Sequence, residues 1–210
     1  MKKLYEYMHQ FQIGDQGPGT WSVEHRLADF ESVFARIGSA KWTKPVTVTY
    51  NDANVTKTAK HLGLPEETIR EWMFDPAYAK LEDTSFEAFT LDASEVELHA
   101  DICKLLKLST YKSDVRLQLQ RPGEMIALHM DGRKHHVFDL PSEKEHLVTR
   151  YAIFLEDQMP GQAWMINHDY IKWKRGDVYT WGQSTTPHGT ANFSYHDRPV
   201  LVVTGMSIAD

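Results

Sequence analysis

The sequence predicts a mainly β protein with some α: an antiparallel sandwich or barrel over residues 111–210, preceded by a mixed, mostly helical region over residues 1–110. Short β-type runs crowd the second half: DVRLQLQR, EMIAL, TRYAIFLED, AWMIN, DVYTW and RPVLVVTGM. Turn-forming segments (RPGE, QMPGQ, KRGD and QSTTP) separate them. No helix-length gap divides the series except the polar DGRKHHVFDLPSEKEH, which reads as a mobile loop over the mouth of the fold. The two regions are expected to form one structural domain, the first packing on the second.

In chain order, SVEHRLADFESVFARIG carries apolar residues at Val23, Leu27, Phe30, Val33, Phe34 and Ile37. This is a helical face, stopped by Gly38. KPVTVTYND alternates like a short strand. NVTKTAKHLG and LPEETIREWM read as two short helices meeting at Gly63, with Pro65, Glu66 and Glu67 suited to a helix start. SEVELHADICKLLKL is an amphipathic helix with Ser94 as its expected cap. Its Cys103, the chain's one cysteine, reads as inert packing and excludes a disulfide framework within the chain.

Composition narrows the class. The chain has 210 residues, 41% hydrophobic and 25% charged, enough for one sizeable core. A net charge of −6 with interspersed signs does not favour a nucleic-acid partner. Neither a signal peptide nor a membrane-spanning run is read, so a soluble, cytoplasmic protein is expected. Oligomeric state is left open.

The chemistry begins at ALHMDG, where a strand ends in His129-x-Asp131. Two residues apart on an extended chain, these side chains project the same way. Downstream, STTPHGTANFS places His188 in a polar connection after DVYTW, and ten residues later Arg198 opens the last strand. Two imidazoles and a carboxylate occupy one face of an octahedral Fe(II) and leave the opposite positions open. An arginine nearby grips a carboxylate bidentately, which suits a dicarboxylic co-substrate and explains a cation on an inner strand.

Residues 115–204 resemble the core of the Fe(II)/2-oxoglutarate-dependent oxygenases, and more narrowly the aspartyl/asparaginyl β-hydroxylase-like branch. VRLQLQRPGEMIALHMD, RYAIFLE, WKRGDVYTW, HGTANFS and RPVLVV carry the resemblance, in order. It implies a double-stranded β-helix, a jelly-roll with a cupin-like core. It also implies His129, Asp131 and His188 as iron ligands, Arg198 on the far carboxylate of 2-oxoglutarate, and Arg150 contacting a substrate or co-substrate carboxylate. The implied reaction uses O2 and 2-oxoglutarate to hydroxylate a C–H bond of an amino acid, a peptide or protein side chain, or a small carboxylate, releasing succinate and CO2. Asp131 departs from the narrower branch, whose members often lack that carboxylate; this favours the wider superfamily, and hydroxylation over halogenation. Val200 stands where many relatives have Ser or Thr, leaving Thr204 or Thr190 as alternative donors.

Other residues read more plainly. His135 and His136 are taken as solvated loop residues. Trp164 and Trp173 are taken as core, and Trp181 as core or pocket lining. Arg116 and Gln118 share a strand face that points either into the barrel or to solvent. VTKTAKHLGLPEETIREWM has helix-turn-helix spacing (Ala59, Gly63, Ile69), but Arg70 is the one basic residue of its second helix. A ligand-sensing regulator is therefore the weaker alternative. A cupin-like metal enzyme without 2-oxoglutarate is the stronger one, and Arg198 argues against it.

Overall fold

The computed structural model describes residues 21–26, 30–44, 46–49, 56, 59–60, 63, 65–67, 85–129, 147–167, 169–181, 186 and 188–208. Ile69, Arg70 and the whole segment read as a mobile loop, 131–146 with Asp131, His135 and His136, lie outside them, as do the side chains of His129 and Trp181.

Among the described residues, eleven strands form two antiparallel sheets. They are β1 (Trp21–Arg26), β2 (Val46–Thr49), β3 (Ser85–Thr90), β4 (Leu108–Gln120), β5 (Met125–His129), β6 (Val148–Phe154), β7 (Gln162–Ile166), β8 (Asp169–Tyr170), β9 (Asp177–Trp181), β10 (His188–Asn192) and β11 (Arg198–Ser207). The large sheet runs β1-β9-β6-β11-β4-β3-β2 and the small one β5-β10-β7-β8. From β4 to β11 the chain passes between the sheets six times, and the eight strands make two antiparallel layers of four, β9-β6-β11-β4 over β5-β10-β7-β8. That order is a double-stranded β-helix.

Alternation along the strands builds two cores. Val115, Tyr151, Ile153, Val178, Leu201 and Val203 face outward from the large sheet. Helices α1 (Phe30–Ile37) and α2 (Val96–Leu105) cover that face with Val33, Ile37, Leu98 and Ile102. The alternate residues Ala152, Phe154 and Val200 face inward and meet Trp164 and Ile166 of the small sheet, with Trp173 and Tyr179. The Phe154 and Trp164 ring centroids are 5.2 Å apart, so the sheets pack face to face.

Several local expectations change. The helical reading of Val23 and Leu27 fails at its start: Trp21–Arg26 is a strand paired with β9, and the helix begins at Phe30. WSVEHR alternates apolar and polar residues as well as it fits a helical face, and the backbone of β9 decides between them. Ser94 is not a side-chain cap. Glu95 holds that position, while the Ser94 hydroxyl donates to Asp92 Oδ1 at 2.7 Å and keeps that carboxyl below its ordinary pKa. β3 arises within the region read as mostly helical, beside β4. Trp164 and Trp173 are core residues, as expected. Of the helix-turn-helix segment, Ala59 is buried and Gly63 turns with φ +64°. Among the described residues no helix is long and apolar enough to cross a membrane.

Gly161 shows how tightly the β10–β11 connection is seated. Its φ is +92°, and a Cβ there would lie 2.7 Å from the Phe193 carbonyl oxygen, whose own amide donates to Gly161 O at 2.9 Å. Gly161→Ala is therefore expected to cost about 2–3 kcal/mol. For a chain of this size that lowers the melting temperature by roughly 4–12 °C, and thermal unfolding followed by circular dichroism measures it.

Candidate active site

Arg198 and Gln120 face each other where β11 starts and β4 ends. Both side chains are buried, with relative exposures of 6% and 2%. Arg198 Nη1 donates to Gln120 Oε1 at 3.1 Å. Its guanidinium carbon lies 5.1 Å from the Trp173 ring centroid and 5.6 Å from that of Phe154. These two rings stack at 4.4 Å and line the guanidinium. Nε is fully buried and has no hydrogen-bond partner among the described residues. Burial pushes the Arg198 pKa down to about 9, so the cation persists at neutral pH in an unfavourable setting. Cation–π attraction returns about 2 kcal/mol or so per ring when desolvated, against several kcal/mol for burying an ion. An anion taken up beside Nε would close that deficit.

The same carboxamide reaches the small sheet. Gln120 Nε2 donates to Thr190 Oγ1 at 3.0 Å. Asn192 fixes the surroundings: its Nδ2 donates to Gln120 O and His196 O, each at 2.8 Å, and its Oδ1 accepts from the Ser194 hydroxyl at 2.6 Å. Asn192 is fully buried.

His188 opens β10, so the segment read as a polar connection is in fact a strand. Its ring is buried, with Nδ1 3.0 Å from the Thr186 carbonyl oxygen. A carbonyl only accepts, so this contact puts the proton on Nδ1 and the lone pair on Nε2, the form in which imidazole binds metals. Along the small sheet His188 is level with Ile166 on β7 and His129 on β5. The β5 register shifts between His188 and Thr190: Thr190 pairs Ile126 and His188 pairs His129, so three steps on β5 match two on β10. This bulge brings His129 directly across from His188, and directly opposed residues have Cα atoms about 4.5–5.5 Å apart.

Arg150 stands elsewhere. Its Nε donates to Thr204 Oγ1 at 3.0 Å, and Arg150, Thr204 and Asp114 form one register row across β6, β11 and β4. Thr204 is six residues beyond Arg198 on β11, about 20 Å along the strand. The two arginines occupy opposite ends of the large sheet's inner face. Arg116 pairs with Asp114 at 2.6 Å with half its side chain exposed. Gln118 is half-buried opposite the inward Val200. Cys103 is buried on α2 and contacts Ser113 Oγ at 3.1 Å, and burial pushes its thiol pKa up.

Gln120 and Asn192 were not anticipated as site residues. The available signal was polar residues at inward positions where strands end, but their partners lie 70 or more residues away in sequence.

No protein-family model and no curated protein matches the sequence. Among solved structures, a Pseudomonas putida prolyl-4-hydroxylase aligns over 85% of this chain and 98% of its own, at 13% identity and a TM-score of 0.41. A predicted oxalate decarboxylase from Thermotoga maritima aligns over 58% of this chain and 81% of its own, at 17% identity and a TM-score of 0.36. An uncharacterised double-stranded β-helix protein from Klebsiella pneumoniae aligns over 47% and 67%, at 18% identity and a TM-score of 0.31. The fold assignment rests on the strand order and registers above.

Proposed function

We propose that the protein is an Fe(II)- and 2-oxoglutarate-dependent oxygenase that hydroxylates a C–H bond of an amino acid, a peptide or protein side chain, or a small carboxylate. The observation that carries the reading is Arg198: a buried guanidinium inside the barrel whose Nε lacks a partner among the described residues. A metal enzyme of the same fold that does not use 2-oxoglutarate has no need of that cation. His188 supports the metal half of the reading, with its Nε2 lone pair set by the Thr186 carbonyl and with His129 across the ladder. In this reading His129, Asp131 and His188 hold the iron, and two imidazoles with a carboxylate suit Fe(II). Bound iron would supply the redox chemistry, coupling O2 activation to conversion of 2-oxoglutarate into succinate and CO2.

The chain's own residues bind and orient. Arg198 takes the far carboxylate, and Phe154, Trp164 and Trp173 keep water from that end. Thr186 holds the His188 tautomer. Arg150, at the other end of the barrel wall, is assigned to the substrate's carboxylate.

The test uses anaerobically purified, Fe(II)-loaded protein. With 2-oxoglutarate at 100 times its Kd, stabilisation of about 2.7 kcal/mol is expected, a rise of roughly 5–11 °C in melting temperature. A chelator should remove most of it. Admitting air should yield succinate even without substrate. Absence of both the thermal shift and succinate overturns the proposal.

A further inference from the structure

The inner face of the large sheet carries a second charged row, at the end away from Arg198. Thr204 on β11 pairs Arg150 on β6 and Asp114 on β4, and directly paired residues share one face of a sheet. Two steps back along each strand, Val202, Ala152 and Arg116 form the adjacent row. Ala152 and Val202 pack in the core between the sheets, so the Arg150–Thr204–Asp114 row faces the same interior. It sets a cation and an anion on either side of a hydroxyl. Neighbouring strands are about 4.8 Å apart, which puts the Arg150 and Asp114 backbones roughly 10 Å apart. Arg150 narrows that gap by leaning onto Thr204, with Nε 3.0 Å from Oγ1.

Asp114 can still accept. Arg116 Nε lies 2.6 Å from Oδ2, and Oδ1 has no partner among the described residues. The Asp114 side chain is 23% exposed, sheltered yet within reach of a ligand entering the barrel. The row also lies on the His188 side of the barrel. Thr190 is tied to Gln120 by the 3.0 Å hydrogen bond, and Asn192, further along β10, reaches the end of β4 at Gln120 O. His188, two residues before Thr190, therefore lies back toward Arg116 and Asp114.

We infer that Asp114 is a specificity-determining residue that accepts a substrate ammonium group while Arg150 holds the carboxylate, so the substrate class is an unblocked α-amino acid whose side chain points down the barrel toward His188. The inference rests on the proposed oxygenase function and on the role assigned there to Arg150. An α-amino acid carries both charges on one carbon, which matches two opposite heads flanking one hydroxyl. A plain carboxylic acid leaves Asp114 without its donor. A residue within a peptide has neither charge free.

The experiment measures binding and turnover separately. Each of the twenty common L-amino acids and its N-acetyl counterpart is titrated calorimetrically into Mn(II)-loaded protein holding 2-oxoglutarate, without oxygen. The same compounds are then added to the Fe(II)-loaded protein in air, and succinate is followed. At least one free amino acid should bind about tenfold or more tighter than its N-acetyl form and stimulate succinate release. For that amino acid, Asp114→Asn should raise Kd by about tenfold to a hundredfold and leave the Kd of 2-oxoglutarate within about threefold of wild type. Arg116→Gln breaks the ion pair but keeps the carboxylate, so it should hold the preference for the free amine; a merely structural Asp114 would make the two variants alike. The wild-type comparison stands whether or not a variant folds. If no free amino acid is preferred, or Asp114→Asn keeps the preference, this inference falls, and succinate formed from 2-oxoglutarate alone leaves the proposed function standing. If 2-oxoglutarate neither binds nor yields succinate, the proposed function falls, and this inference with it.

Discussion

Replacing Arg198 by methionine is expected to raise the 2-oxoglutarate Kd by about a hundredfold to ten-thousandfold and to leave the ligand-free fold nearly as stable as before. The first half follows from losing two charge-assisted hydrogen bonds, each about 1.5–3 kcal/mol. The second follows from the burial of the cation. Arg198 is enclosed by Phe154 and Trp173 and has no carboxylate partner among the described residues. Removing an uncompensated buried charge is neutral or stabilising by about 1–4 kcal/mol when an apolar chain of similar volume fills the space. Methionine adapts to such gaps and lies well against aromatic rings. Opposing this, Gln120 Oε1 loses its donor, at a cost of about 1–3 kcal/mol. The two effects nearly cancel, so the melting temperature should move by no more than about 4–8 °C. Calorimetry reads the Kd and a thermal melt reads the fold. An unaltered Kd would remove Arg198 from the anion site, and a collapsed fold with intact binding would make it a structural residue.

The second large effect is expected at His188. If His188 holds iron as proposed, His188→Ala should lower metal affinity and 2-oxoglutarate-dependent succinate formation by more than the 10–100-fold typical of losing an outer partner of a metal ligand. The structure makes compensation hard. His188 is buried at the start of β10, level with His129, and the bulge between β5 and β10 sets that level. A neighbouring side chain cannot slide into register without unpairing the strand. The readout is the visible spectrum of the Co(II)-substituted protein, alongside succinate. A variant that keeps the Co(II) spectrum and wild-type turnover would exclude His188 from the metal site.

What the sequence disclosed divides along the range of the interactions. The period-two alternation of VTRYAIF and RPVLVVTGM marks β6 and β11, because those strands bury one face on helices and the other in the barrel. WSVEHR carries no such decision locally, and its pairing with β9, more than 150 residues on, makes it a strand. The site follows the same division. His188 and Arg198 stand out by residue type and spacing, but Gln120 and Thr190 gain their meaning from a register that joins residues 70 and 78 positions apart. Asp131 lies outside the described residues.

The three strands from the first ninety residues also have a protective consequence. β1 lies along β9, and β3 and β2 continue the large sheet beyond β4, so both flanks of the barrel's larger wall are covered by N-terminal segments. A fragment beginning at Leu108 would lay bare the N–H and C=O groups that β3 now occupies on the thirteen-residue β4. An exposed backbone of that length is a template on which a second copy can add its own strand. The segment ahead of the barrel thus occupies both edges, and a fragment trimmed to the barrel alone is expected to aggregate.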